Sequence, residues 1–102
     1  MTSETADRVA SVVEAIPRGS VMTYGEVARA VGTNALTVGR ILNKSGHTLS
    51  WWRVVDASGH PYKGALERAR AHFIEESTPL VADAHDTRVD LTRASFSGHR
   101  TN

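Results

Sequence analysis

The hydrophobic positions along the chain predict a series of short amphipathic helices. The first covers about residues 4–16, where apolar residues recur at the i, i+3, i+4 and i+7 spacing of one helix face. These residues are Val9, Val12, Val13 and Ile16. A similar pattern predicts a helix at about residues 64–76, and alternation over residues 87–91 favours a short strand. The expected fold is therefore mainly α with a short strand.

Two further helices are predicted between these, joined by a short turn. Thr23 and Glu26 have the spacing of a capping box, so a helix is expected to begin there and to end near Gly32, which suits a left-handed C-terminal cap. Asn34, or the threonine before it, offers an N-cap for a second helix over about residues 35–42. Two short helices linked by a glycine-containing turn match a helix-turn-helix, although any αα-hairpin has a similar pattern.

The segments that follow predict irregular structure. Residues 43–47 are expected to form a loop, residues 49–55 an extended or irregular segment, and residues 56–61 a turn-rich loop. No internal repeat or second domain is evident. Residues 1–96 are therefore predicted to form one domain, and residues 97–102 a frayed tail.

Composition and charge narrow the chemistry. None of the 102 residues is cysteine, which excludes disulfides, thiolate zinc sites and cysteine nucleophiles. The net charge is only +1, but residues 17–70 carry eight basic residues against three acidic ones. This central basic block favours a polyanionic partner over an ordinary mixed surface. The five histidines lack metal-ligand spacing, and we expect no cofactor and no metal.

The hydropathy of the chain indicates no membrane association. No apolar run approaches the length of a membrane-spanning helix, and the polar start of the chain lacks signal-peptide character. We therefore expect a cytoplasmic monomer, associated with the nucleoid if the source is prokaryotic.

Several ordered motifs resemble the C-terminal DNA-binding domain of the O6-alkylguanine-DNA alkyltransferases. Residues 17–28 resemble the stretch leading into that family's helix-turn-helix, and residues 38–43, Val-Gly-Arg-Ile-Leu-Asn, resemble its recognition helix and hinge asparagine. Residues 49–55, Leu-Ser-Trp-Trp-Arg-Val-Val, resemble the active-site segment Ile-Pro-Cys-His-Arg-Val-Val. Residues 58–62 resemble the substrate-pocket loop, and residues 73–76 the helix with the relay glutamate. The resemblance implies a winged helix-turn-helix-like domain.

The resemblance extends to the alkyltransferase-like proteins, which recognise O6-alkylguanine without removing the alkyl group. Transfer needs a thiolate activated by a base. Here Trp51 stands at the thiol position and Trp52 at that of the histidine base, and an indole supplies neither function. Because alkyltransferase-like proteins usually keep the histidine, Trp52 departs even from that group.

The implied function is non-catalytic. The partner is double-stranded DNA containing O6-alkylguanine, bound in the minor groove with nucleotide flipping, and the lesion is flagged to nucleotide excision repair proteins. A helix-turn-helix regulator without lesion specificity is the alternative, and Leu36 favours it modestly. An enzyme with other chemistry is disfavoured by the missing nucleophile and base.

The resemblance also assigns roles to single residues. Tyr24 corresponds to the family's tyrosine that rotates the nucleotide out of the stack, although an ordinary half-buried aromatic is an equal alternative. Leu36 stands where the family has an intercalating arginine. Leucine can wedge between bases but cannot hydrogen-bond the orphaned cytosine. Arg40 is another candidate for that role, although a phosphate contact suits its position better.

The remaining assignments concern the pocket and the DNA-binding surface. The lesion pocket is predicted to comprise Trp51, Arg53, Val54, Ser58, Gly59 and Tyr62. The DNA-binding surface is predicted to comprise Thr23, Asn34, Ala35, Thr37, Gly39, Arg40, Asn43 and Lys44. Close approach of DNA and tight helix packing explain Gly39 equally well. Trp52 is expected in the core, and Glu75-Glu76 at a solvated helix end.

Overall fold

The computed structural model describes residues 3–45, 48–82 and 86–96. Helix α1 covers Ser3–Glu14, close to its predicted bounds, and is followed by strand β1, Met22–Thr23. The tail predicted for residues 97–102 lies outside the described residues.

Helix α2, Tyr24–Val31, begins and ends as predicted. The Thr23 hydroxyl accepts a hydrogen bond from the Glu26 N–H at 3.1 Å, and the Glu26 carboxylate accepts the Thr23 N–H at 2.9 Å. The capping box is therefore confirmed. Gly32 ends the helix with φ at 92°, the left-handed conformation that glycine adopts without strain.

Helix α3, Ala35–Ser45, is longer than predicted. The Asn34 side chain caps it, accepting the Thr37 N–H at 2.9 Å. Residues 43–45 were expected in a loop, and this prediction is wrong. They include neither glycine nor proline, and the Ser45 hydroxyl donates to the carbonyl oxygen of Ile41 at 2.9 Å in the last turn.

Strand β2, Val54–Val55, follows a 3-10 turn at Trp51–Arg53 and pairs in parallel with β1. Met22 lies opposite Val54, and Thr23 opposite Val55. A parallel pair needs a long crossover connection, and the helix-turn-helix provides it. The short sheet therefore joins the two ends of the helix-turn-helix.

Two hydrophobic clusters meet at this sheet. Successive residues of a strand point to opposite faces, so Val54 enters one cluster and Val55 the other. The first cluster packs α1, α2 and α3 together through Val9, Val13, Ile16, Met22, Val27, Ala28, Val31, Val38, Leu42 and Val54. The second holds the C-terminal half through Val21, Val55, Ala69, Phe73, Val89 and Ala94.

The C-terminal half contains α4, Leu66–Glu75, and the short α5, Leu91–Ala94. A 3-10 turn at Lys63–Ala65 leads into α4, which confirms the predicted helix in this region. The strand predicted over residues 87–91 is wrong. Val89 forms an isolated antiparallel bridge with Leu80, and the Asp90 carboxylate then accepts the Thr92 N–H at 3.1 Å and caps α5.

The mainly helical fold is as predicted, although its short strands lie at residues 22–23 and 54–55 and not at 87–91. Within the described residues, no helix combines the length and apolar character needed to cross a membrane.

Candidate nucleic-acid interface

A cavity opens between α3 and the turn that leads into α4. Its volume is about 80 Å³, below the roughly 300–1,000 Å³ typical of small-molecule sites, and its mouth is open to solvent. Its wall is largely aromatic and aliphatic, with one cationic side chain. The lining residues are Tyr24, Gly39, Leu42, Asn43, Trp51, Tyr62, Ala65 and Arg68.

The cavity brings together residues that the sequence assigned to two different surfaces. Trp51 and Tyr62 were predicted for the pocket, Tyr24 for nucleotide rotation, and Gly39 and Asn43 for DNA contact. Helix α3 thus forms one wall of the cavity.

Four residues predicted for the pocket lie elsewhere, which corrects that part of the assignment. Arg53 donates a hydrogen bond to the carbonyl oxygen of Ile16 and forms an ion pair with Glu76, and it does not line the cavity. Val54 is fully buried in the first hydrophobic cluster, because its strand position points it there. Ser58 is exposed in a turn.

Gly59, the fourth of these residues, lies in the same turn with φ at 93°. A Cβ atom there would lie 2.3 Å from the carbonyl oxygen of Val89. This glycine is therefore required for the close packing of the backbone against Val89.

Arg68 was missed by the sequence analysis. Its guanidinium carbon lies 5.9 Å from the centre of the Trp51 ring, within the range of a cation–π contact. Ala65 ends the 3-10 turn just before α4, and Arg68 lies in the first turn of that helix. No spacing in the sequence marked Arg68, because only the packing of α4 brings its first turn to Trp51.

Tyr62 forms an exposed edge of the cavity, with 48% of its surface accessible. Its ring lies across Gly64. A Cβ atom on Gly64 would come within 2.7 to 3.0 Å of two ring carbons and the hydroxyl oxygen of Tyr62, so glycine is needed for this ring position.

Tyr24 lies at the start of α2 and is half-buried. Burial is the main factor that raises the pKa of its phenol, and the nearby Asp56 and Tyr62 raise it further. The hydroxyl therefore remains protonated at neutral pH. A neutral phenol can donate a hydrogen bond to a phosphate without adding repulsion between like charges.

The outer surface of α3 is polar and cationic. Arg40 and Lys44 are exposed and, one turn apart, line a groove together with Thr37. Leu36, in the first turn of α3, has 65% of its surface accessible and contributes little to the core. Ala35 is also exposed. The side-chain amide oxygen of Asn34 and the hydroxyl of Thr23 accept hydrogen bonds in helix caps.

Gly39 has a distinct environment on this helix. A Cβ atom at this position would meet no heavy atom within 4 Å. Tight helix packing therefore does not explain the glycine.

Behind the cavity, Glu76 forms a buried ion pair with Arg53. The Arg53 Nη2 and Nε atoms lie 2.6 and 3.1 Å from the two carboxylate oxygens, and only 12% and 3% of the Arg53 and Glu76 side chains are accessible. The Trp52 indole N–H and the Gly19 N–H donate to the same carboxylate at 3.1 and 3.2 Å. The prediction of a solvated helix end is therefore wrong for Glu76, although Glu75 is exposed.

The pKa of Glu76 reflects this environment. Burial is the largest single influence and opposes ionisation, but hydrogen bonds from Arg53, Gly19 and Trp52 and the charge of Arg53 together outweigh it. The net effect lowers the pKa of the Glu76 carboxyl. The ion pair therefore stays intact at neutral pH.

Trp52 is not a core side chain, contrary to the prediction. It is half-buried beside the second hydrophobic cluster and stacks on His72, with ring centres 3.6 Å apart and planes 5° from parallel. The indole N–H would be unpaired in an apolar core, and here Glu76 accepts its hydrogen bond. No group of three or more His, Cys, Asp or Glu side chains in the described ranges is placed to hold a metal ion.

These features define a helix-turn-helix domain whose second helix borders an aromatic cavity. The family model for the DNA-binding domain of 6-O-methylguanine DNA methyltransferase matches residues 4–78. This chain belongs to that family, and within it to the alkyltransferase-like type, which the relatives described next support.

Similar curated proteins carry the name DNA base-flipping protein. The protein from Escherichia coli K12 is 46% identical over 56 residues, and the match covers 51% of this chain and 43% of that protein. The protein from Vibrio parahaemolyticus is 38% identical over 56 residues, covering 51% of this chain and 56% of that protein. The chain thus matches only about half the length of these relatives.

Solved structures show the same fold. S. pombe Atl1, in complex with damaged DNA containing O6-carboxymethylguanine, has a TM-score of 0.81 and 25% identity, covering 95% of this chain and 98% of that one. Mycobacterium tuberculosis OGT in complex with DNA has a TM-score of 0.61 and 31% identity, covering 70% of this chain and 48% of that one.

Proposed function

We propose that this chain is a non-catalytic DNA-binding protein that recognises O6-alkylguanine. Helix α3 docks in the minor groove, Tyr24 rotates the damaged nucleotide, and the base enters the cavity beside Trp51. The observation that carries the proposal is the aromatic cavity bordering α3 in a chain without cysteine.

Three further observations support the proposal. Arg40 and Lys44 provide cations on the exposed side of α3, where a phosphate backbone can be neutralised. Leu36 is exposed enough to enter a base stack. The relatives are named for base flipping, and S. pombe Atl1 was solved with damaged DNA.

The absence of transfer chemistry follows from the residues at the cavity. There is no thiol to accept an alkyl group, and Trp52, at the proposed position of the base, already donates its N–H to Glu76. The chain is therefore expected to bind the lesion and leave it intact.

The decisive experiment compares two duplexes that differ only in one O6-methylguanine, at the same salt concentration. We expect tighter binding to the damaged duplex and no transfer of a radiolabelled methyl group to protein. Equal affinity for the two duplexes would favour a helix-turn-helix regulator of unmodified DNA. Labelled protein would contradict the non-catalytic assignment.

The downstream role is proposed to be the flagging of lesions to nucleotide excision repair by a monomer in the cytoplasm or nucleoid. A base held in the cavity but not repaired needs a separate excision step. Excision repair proteins should be retained on a lesion duplex only when this chain is present. Equal retention without it would remove this role.

Gly39→Ala separates stability from binding. Alanine fits without a clash and favours helix by about 1 kcal/mol, so the free energy of unfolding should rise by up to that amount. If DNA approaches the backbone at Gly39, affinity for both duplexes should nevertheless fall. Thermal melting and fluorescence anisotropy on the same preparation measure the two effects. A stabilised variant with unchanged affinity would place the DNA away from this turn of α3.

Arg40→Ala tests the electrostatic part of the interface. For roughly four to six neutralised phosphates, a plot of log K against log salt should have a slope near −4 to −5, and the variant should flatten it by about one unit. Lesion and undamaged DNA should be affected alike. Arg70→Ala, at an exposed position of α4, removes the same charge and should leave the slope unchanged. Equal effects of the two variants would argue against a specific contact at Arg40.

A further inference from the structure

An aromatic pair stands directly behind the cavity without lining it. Trp52 and His72 stack with ring centres 3.6 Å apart and an angle of 5° between planes. Both side chains are half-buried, and neither contributes to the cavity wall. The function proposed above uses neither face of this stack.

The position of Trp52 in the stack is fixed from several sides. Its N–H donates to Glu76 at 3.1 Å, and the Arg53 guanidinium carbon lies 5.6 Å from its ring centre. His72 lies in the last turn of α4, and Glu76 follows the helix with its N–H donating to the His72 carbonyl oxygen at 3.0 Å, so the end of α4 holds both the face and the edge of the indole. The indole therefore has little freedom to rotate.

Trp51 meets this stack edge to face. Its ring centre lies 5.8 Å from that of Trp52 at 89°, and 6.0 Å from that of His72 at 87°. Perpendicular contacts at these distances are one of the favoured arrangements of aromatic pairs. The Arg68 guanidinium carbon also lies 5.9 Å from the centre of the Trp51 ring, so Trp51 contacts both the stack and a cation.

We propose that His72 is a positioning residue for lesion recognition: by stacking on Trp52 it fixes the ring plane of Trp51 in the cavity wall, and so sets how well the cavity discriminates alkylated from normal guanine. This role rests on the proposed function, since it acts on the same cavity. Its ligand class is a flat, alkylated purine, because a fixed aromatic wall selects for a planar partner at a defined distance.

The test compares His72→Leu with His72→Phe. Leucine keeps the bulk but not the plane, whereas phenylalanine keeps the stack. We expect His72→Leu to lower the ratio of affinities for the O6-methylguanine duplex and its undamaged counterpart by roughly two- to tenfold, the range that aromatic pairs support. His72→Phe should restore most of the ratio. Glu75→Ala, exposed on the same helix, is the matched control.

A double-mutant cycle with Trp51→Ala shows whether His72 acts through Trp51. If it does, His72→Leu should have no further effect on discrimination once Trp51 is removed. An unchanged ratio in His72→Leu alone, or a loss that persists without Trp51, would overturn the proposal.

NMR of the indole N–H groups in the free protein tests, without DNA, whether His72 positions Trp51. In His72→Leu the Trp51 signal should shift and broaden, while Trp52 keeps its hydrogen-bonded signal. An unperturbed Trp51 signal would overturn the positioning role even if no lesion selectivity is found. If the wild type does not bind the lesion selectively but the Trp51 signal does shift in His72→Leu, the result counts against the proposed function and not against the positioning role.

Discussion

Glu76→Gln is expected to destabilise the protein more than any other single change considered. Each oxygen of the Glu76 carboxylate accepts two donors, one from Arg53 and one from either Trp52 or Gly19. An amide replaces one oxygen with a group that donates, so two donors lose their acceptor and the buried Arg53 charge loses its partner. Breaking a buried ion pair from one side costs about 3–5 kcal/mol.

Urea denaturation at neutral pH measures the loss in free energy of unfolding caused by Glu76→Gln. Glu75→Gln is the matched control, because the exposed neighbour should change the free energy of unfolding by no more than about 0.5 kcal/mol. A Glu76→Gln variant as stable as this control would show that the ion pair contributes nothing to folding.

The same carboxylate predicts a loss of stability in acid. The pKa of Glu76 is lowered from its ordinary value of 4.5 in the folded protein, so the folded state favours the ionised form more than the unfolded chain does. Its contribution is fully present above that value and is lost as the pH falls through the lower, folded pKa. The difference in stability between wild type and Glu76→Gln should therefore shrink in acid, and a constant difference would contradict this origin.

Trp51→Ala is expected to have the largest effect on recognition. Contact between a base and an aromatic ring is worth about 1–3 kcal/mol, which corresponds to roughly 5- to 150-fold in affinity. Under the proposed function only a flipped base reaches the cavity, so the loss should fall mainly on the damaged duplex. Affinity for undamaged DNA, which the proposal assigns to the outer surface of α3, should change little.

Thermal stability distinguishes this result from simple unfolding. Trp51 is half-buried, so its truncation should cost less than the roughly 3–5 kcal/mol typical of a fully buried aromatic. Trp51→Phe retains an aromatic wall and should keep much of the discrimination. A folded Trp51→Ala that prefers the lesion as strongly as the wild type would remove Trp51 from the recognition site.

Local features of the fold could be predicted because the atoms involved are close in sequence. The capping box of Thr23 and Glu26 and the left-handed cap at Gly32 depend on side-chain chemistry within one helical turn. The same locality explains an error. The alternation over residues 87–91 resembles a strand, but Asp90 starts a helix within it, and its capping hydrogen bond prevails over the pattern.

The candidate site could be predicted only in part. The resemblance to the alkyltransferase family predicted Trp51 and Tyr62 for a pocket, and in the structure both line this cavity. Arg68 was missed, and Arg53 was misplaced, because neighbours in sequence on a 3-10 turn point in different directions. Which of them faces the cavity depends on the position of α4.

The sequence by itself determined that the chain has two short capped helices joined by a glycine-containing turn, a central basic block and no thiol, since these follow from spacing and composition alone. Only the tertiary structure decided that the Glu76 side chain is buried in an ion pair and not solvated. At the end of an exposed helix, a glutamate next to Glu75 resembles any solvated carboxylate. Its donors, Arg53 and Trp52, lie 23 and 24 residues away, and only the packing of α4 against the sheet brings them together. Burial and charge pairing are properties of that packing, and no local pattern in the chain encodes them.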